Sequence, residues 1–143
     1  MRALFRYPQI EAARTAASYK LLSDGALYAM GIAYVEETLQ KMGYSVVFRS
    51  GSRNRYPQLK ARKQNGKLWW IIVGVGMYPN HPHLGEEVIK QVLKHAPEEQ
   101  AKVYFAPVMF INTRSQNLSL PSQNGSFTAL FNGLVAVTNH SHP

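Results

Sequence analysis

The sequence has no cysteine and a single aspartate, Asp24. The first absence excludes disulfides, thiolate zinc sites and cysteine nucleophiles together. The second leaves little material for carboxylate chemistry, since the chain has eight acidic residues in all and none from Thr38 to Gly85. No run of about 18 apolar residues occurs, so no membrane span is expected. The stretch MRALFRYPQIEAARTAASYK is basic but has no continuous apolar segment, so no secretory signal is expected. Its Ala-rich basic character imitates a transit peptide, a reading set aside in favour of the cytoplasm.

What is present is positive charge. Sixteen Lys and Arg leave the chain at +8. Such an excess points to a polyanionic partner, with nucleic acid, and DNA in particular, as the expected one. The acid-free segment carries Lys41, Arg49, Arg53, Arg55, Lys60, Arg62, Lys63 and Lys67. The acids cluster elsewhere as pairs: Glu36-Glu37, Glu86-Glu87 and Glu98-Glu99.

At 143 residues, 45% of them hydrophobic, the chain fits one compact domain. An N-terminal helical arm is expected over 1–22 and a single domain over 23–143. Ser23-Asp24-Gly25 is a break and a cap, followed by a helix to about Met42 that Gly43 ends. Tyr44–Arg49 reads as a strand by its Val and aromatic content, and Ser50–Tyr56 as a loop. Pro57–Lys63 and Leu68–Gly76 read as two strands of a hairpin around Asn65-Gly66. The second is apolar on both faces, as in a central strand covered from both sides. Gly85–Ala96 reads as a helix and Val103–Ile111 as a strand in which Pro107 marks a bend or an edge-like position. Residues 112–126 form a polar loop, and Phe127–Thr138 is a further apolar element, helix or strand. The whole is an α/β fold with a mixed sheet of about four or five strands flanked by helices, in the order helix, strand, hairpin, helix, strand.

These residues resemble the core of the restriction-endonuclease-like superfamily, whose signature is PD…(D/E)XK. The nearest pattern is that of archaeal-type Holliday junction resolvases. The likeness rests on the junction GYSVVFR, the Gly51-Ser52 pair, Pro57-Gln58, the short hairpin and the apolar third strand, and spans residues 26 to 111. It implies that Pro57-Gln58 stands where the family has Pro-Asp, and Ile72-Val73-Gly74 where it has Glu-x-Lys. The two acids of the family hold Mg²⁺, and the lysine assists the water or stabilises charge. Here Gln58, Ile72 and Gly74 occupy those positions. Magnesium requires hard oxygen ligands, usually carboxylates. Glutamine offers one neutral oxygen; isoleucine and glycine offer none. No metal site and no cofactor are therefore expected, and the motif reads as degenerate.

Strand alternation predicts Gln58, Lys60 and Arg62 on one face, and Trp70, Ile72, Gly74 and Gly76 on one face of the next strand. The expected nucleic-acid contacts are Arg49, Arg53, Arg55, Tyr56, Lys60, Arg62, Lys63 and Lys67. Cations would hold phosphates and Tyr56 would stack on a base. Tyr44 and Phe48 read as core residues of the first strand, and Trp69 and Trp70 as pointing to opposite faces. Glu36 and Glu37 are the acids that a relocated catalytic site would use with Mg²⁺, although a solvated helix face is the preferred reading of both.

Other patterns carry less. Gly74-Val75-Gly76 follows a strand, but Pro79 stands where a dinucleotide fingerprint needs its third glycine. His81 and His83 lack a third ligand. No serine has a recognisable base partner. The leading expectation is DNA binding by a degenerate nuclease-like domain. The alternatives are an active metal-dependent nuclease with relocated acids, and a structural or regulatory subunit whose basic surface meets an acidic protein. A homodimer through a sheet edge or the N-terminal arm follows from the resemblance.

Overall fold

The computed structural model describes residues 23–113 and 127–138. The expected helical arm over 1–22 and most of the polar loop lie outside the described residues. Helix α1 (Asp24–Lys41) opens on Ser23, whose Oγ accepts the Ala26 N–H at 3.0 Å. This satisfies one of the free amides of the first turn. The helix closes at Gly43, whose φ of +92° is a left-handed conformation suited to glycine. The Tyr44 N–H then reaches back to the Leu39 carbonyl at 3.0 Å. Leu27, Ile32, Val35 and Leu39 are buried along one side of α1.

The chain continues through β1 (Ser45–Arg49), β2 (Leu59–Arg62) and β3 (Leu68–Met77), all paired antiparallel. Between β2 and β3 the Gly66 N–H bonds to the Lys63 carbonyl at 2.7 Å, and Asn65 takes a φ of 59°. Helix α2 (Glu86–His95) and a 3₁₀ turn (Ala96–Glu99) then return the chain to β4 (Lys102–Asn112), which lies parallel to β3. Parallel neighbours require such a crossover. β5 (Phe127–Leu130) and β6 (Val135–Ala136) both pair antiparallel with β4. The result is an α/β fold with a mixed, open sheet in the order β1-β2-β3-β4-β5, and β6 beside β4.

The two helices cover opposite faces of the sheet. Alternate residues of β3 divide between them: Ile71, Val73 and Met77 pack with α1, whereas Leu68, Trp70 and Ile72 pack with Ile89 and Val92 of α2. The continuous apolarity of β3 is thus the mark of a strand covered on both sides. Burial of each large aliphatic side chain contributes about 1.5–3 kcal/mol.

Pro107 falls inside β4, opposite Gly74 of β3. The Val137 N–H bonds to the Val103 carbonyl, so by alternation the nitrogen of Pro107 faces the same side as β6. On that side β6 pairs with Tyr104 and Phe105 and β5 with residues 109–112. The missing N–H of proline therefore sits at a break between two short strands, which is how it is tolerated in an inner strand. The apolar run 127–138, open to either helix or strand in the sequence, forms β5 and β6. Strand β2 is shorter than expected, and its first residue is Leu59 rather than Pro57.

Candidate functional site

The early start expected for β2 fails at Pro57. Leu59 pairs with Ile71, so Val73 is the next β3 residue whose peptide groups turn toward β2, and Pro57 would be its partner. Proline has no N–H to give. That leaves the Val73 carbonyl without a strand donor. Because β2 starts only at Leu59, the Val73 N–H also lacks a strand acceptor. Two side chains take these bonds. Gln58 Oε1 accepts the Val73 N–H at 2.9 Å, and the Tyr28 hydroxyl of α1 donates to the Val73 carbonyl. Burial, the largest cause, pushes the Tyr28 phenol up to about 12.

The other end of the Gln58 amide ties down the preceding loop. Nε2 lies 3.1 Å from the Arg55 carbonyl, 3.4 Å from that of Arg53 and 3.5 Å from that of Ser52. Gln58 is fully buried. This corrects the expectation that it shares a basic surface with Lys60 and Arg62. Gln58 precedes the strand, so strand alternation does not govern it. An aspartate here would have no N–H for those carbonyls.

The other two motif positions are filled by core. Ile72 is buried on the α2 side of the sheet. A Cβ on Gly74 would lie 2.7 Å from Phe105 Cζ and 3.0 Å from Pro82 Cβ. Glu36 and Glu37 are each engaged with a cation. Glu36 forms a two-pronged hydrogen-bonded pair with Arg49, which holds its carboxyl below the usual range. Glu37 lies 3.9 Å from Lys41 on the exposed side of α1. Among the described residues no three or more His, Cys, Asp and Glu side chains group in a way that could hold a metal ion.

The open space is next to the motif positions rather than at them. On the α2 side of the sheet the helix covers β3 and β4, leaving a cleft of about 420 Å³ over β1 and β2. Its floor is Phe48, Lys60 and Trp70, which are successive cross-strand neighbours on β1, β2 and β3. One wall is the loop Asn54–Pro57 that Gln58 anchors; the other includes Gln91, His95 and Glu99. Lys60 Nζ stands 3.0 Å from both Glu99 oxygens, 5.0 Å from the Phe48 ring centroid and 5.2 Å from that of Trp70. The Trp70 indole N–H also donates to Glu99 at 3.0 Å. Hydrogen bonds from Lys60 first and Trp70 second hold the Glu99 carboxyl below its usual range.

The eight expected contact residues therefore separate. Arg55, Tyr56 and Lys60 line the cleft. Arg49 is paired with Glu36, and Arg53 lies 3.5 Å from Asp24. Lys63 turns over the Tyr44 ring at 5.3 Å. That ring belongs to a stack on the α1 face, with Trp69 at 4.4 Å and Tyr104 a further 4.2 Å on. Arg62 and Lys67 are exposed at the hairpin, with no ion pair among the described residues.

Sequence reasoning missed three participants. Phe48, read as core, is 44% exposed because β1 is the edge strand and α2 does not extend over it. Glu99 and Gln91 come from the crossover and reach the cleft only through the return of α2 across the sheet. A carboxylate 39 positions from Lys60 leaves no local signal of the pairing. Trp69 and Trp70 do face opposite sides, as alternation requires.

A family model described as a domain of unknown function (DUF8840) matches residues 25–137. A search of curated proteins finds no match.

Proposed function

The chain belongs to the DUF8840 family, and from its own residues we propose that the domain binds nucleic acid, DNA in particular, without cleaving it. The observation that carries this reading is the imbalance left after internal pairing. Arg49, Arg53 and Lys60 have acidic partners, but Arg55, Arg62, Lys63 and Lys67 have none among the described residues. All four lie between Asn54 and Leu68 on the loop and hairpin; Arg55 lines the cleft, whereas Lys63 turns to the α1 face. A solvated cation cluster on a chain of net charge +8 attracts phosphates and gains by releasing their counterions.

The order helix, strand, hairpin, helix, parallel strand supports reading the core as restriction-endonuclease-like. In that reading Gln58, Ile72 and Gly74 stand where metal-binding acids and a lysine would be. A buried amide, a buried aliphatic side chain and a crowded glycine speak against metal-dependent cleavage there. Glu36, already engaged by Arg49, is a poor replacement.

The test is a DNA titration over a range of salt. Four phosphate contacts give a log–log slope of about −3 to −4. Absence of binding at low salt, or a flat slope, sinks the reading. Capture of an acidic protein that survives nuclease treatment, without DNA binding, favours a protein partner instead.

A further inference from the structure

We infer that the cleft between the Asn54–Pro57 loop and α2 receives one unpaired base of a single strand, with its phosphates held at the rim. This rests on the nucleic-acid reading and narrows its ligand. The cleft floor is aromatic and electrically balanced. Lys60 meets both oxygens of Glu99 at 3.0 Å, so neither charge remains uncompensated. A phosphate placed on that floor would meet the Glu99 carboxylate, which Trp70 also holds in position. A neutral planar base meets no such opposition. It would find the exposed Phe48 ring and the half-buried Tyr56 ring, which are stacking surfaces for any base.

Free positive charge lies outside the floor. Arg55 is exposed on the loop wall, and Arg62 follows Lys60 by two positions on β2, toward the hairpin on the same face. Charge and rings are therefore ordered from outside to inside as phosphate and then base. A duplex presents the reverse order, with its phosphates outermost and its bases already stacked and paired. A cleft of about 420 Å³ admits one nucleotide and excludes a base pair with both its strands. Asn54 and Gln91 line the cleft, and their amides are of a chemistry that hydrogen-bonds base edges.

The experiment compares three fluorescently labelled DNA probes at about 50 mM salt: a single strand of about 12 nucleotides, its duplex and a single deoxynucleoside monophosphate. The expected result is single-strand affinity at least about tenfold above duplex affinity. Phe48→Ala lowers the single-strand affinity by about tenfold and leaves the duplex affinity unchanged. Gln91→Trp, at an exposed helix position that tolerates substitution, fills the cleft and reproduces the selective loss. In a Trp69→Phe background, single-strand binding changes the emission of Trp70. Equal or tighter duplex binding, indifferent to both substitutions, overturns the inference and leaves the broader reading standing. A monophosphate that binds as tightly as the strand also overturns it, because the cleft is then a free-nucleotide site. Failure of every probe to bind overturns both.

Discussion

Gln58 and Tyr28 hold the two polar groups of one residue: the amide of Gln58 takes the Val73 N–H at 2.9 Å, and the Tyr28 hydroxyl gives its proton to the Val73 carbonyl. They complete the sheet beyond the end of β2. Gln58 also fastens the loop that forms one wall of the cleft. The residue in the place of a catalytic acid thus acts as a joint between β3 and a binding surface. Gln58→Leu should destabilise the domain by about 2–4 kcal/mol, because it leaves the Val73 N–H and the loop carbonyls without partners. Gln58→Asp should lose a similar amount and gain no nuclease activity. Urea denaturation and a Mg²⁺-dependent cleavage assay check the two statements. A stable Asp variant would show that the carbonyls find other donors.

The phenol of Tyr28 links the same joint to alkaline pH. Its pKa is raised from 10.0 to about 12, so the folded state holds this proton more tightly than the unfolded chain does. The resulting stability is complete below pH 10 and is lost as pH rises toward 12. Tyr28→Phe should flatten the loss of stability over that window and cost about 1 kcal/mol at neutral pH. Chemical denaturation of both proteins from neutral to strongly alkaline pH measures this.

Glu99 acts at the acid end. Its carboxyl is depressed by Lys60 and Trp70, so the contribution it makes is present above the ordinary carboxylate range and fades as pH falls through its folded value. Glu99→Gln keeps an acceptor for the Trp70 indole but ends the ion pair. The stability difference between the two proteins should be greatest near neutrality and vanish in acid. An unchanging difference would mean that the pair does not titrate with folding. Lys60→Glu is a poor probe of DNA binding, since it sets a second carboxylate against Glu99 in the cleft floor.

Gly74 tests how far the motif is from repair. Its Cβ position is occupied by the Phe105 ring, so Gly74→Ala forces ring or strand to shift and should cost about 1–3 kcal/mol. Ile72→Glu with Gly74→Lys, which restores the family's residue types, should fail to fold, as it buries charge on the face that α2 covers. Thermal denaturation distinguishes these outcomes, and a stable double variant would contradict this description of the core.

The cations also rank by environment. Arg62→Gln together with Lys67→Gln should make the salt slope of DNA binding shallower by about 2. Arg49→Gln should alter it little, because Glu36 already balances that guanidinium. A slope that responds equally to Arg49 would place the phosphate path on the α1 face instead.

The sequence by itself determined the elements from α1 to β4 and their order, and left the run 127–138 open between helix and strand. Apolar periodicity set α1, continuous apolarity set β3, Ser23 and Gly43 bounded the first helix, and Asn65-Gly66 made the hairpin, because these signals act over a few residues. Composition determined the excess of positive charge and the scarcity of acids. Tertiary structure decided what each charge does. Lys60 reads as a phosphate contact until the crossover brings Glu99 onto it. Phe48 reads as core until β1 becomes an edge strand beyond the reach of α2. Gln58 reads as a surface residue until β2, starting only at Leu59, leaves the Val73 N–H to be accepted by its amide oxygen. Each outcome depends on groups far apart in the chain, and a hydrogen bond or ion pair is decided by proximity in space, which local sequence patterns do not encode.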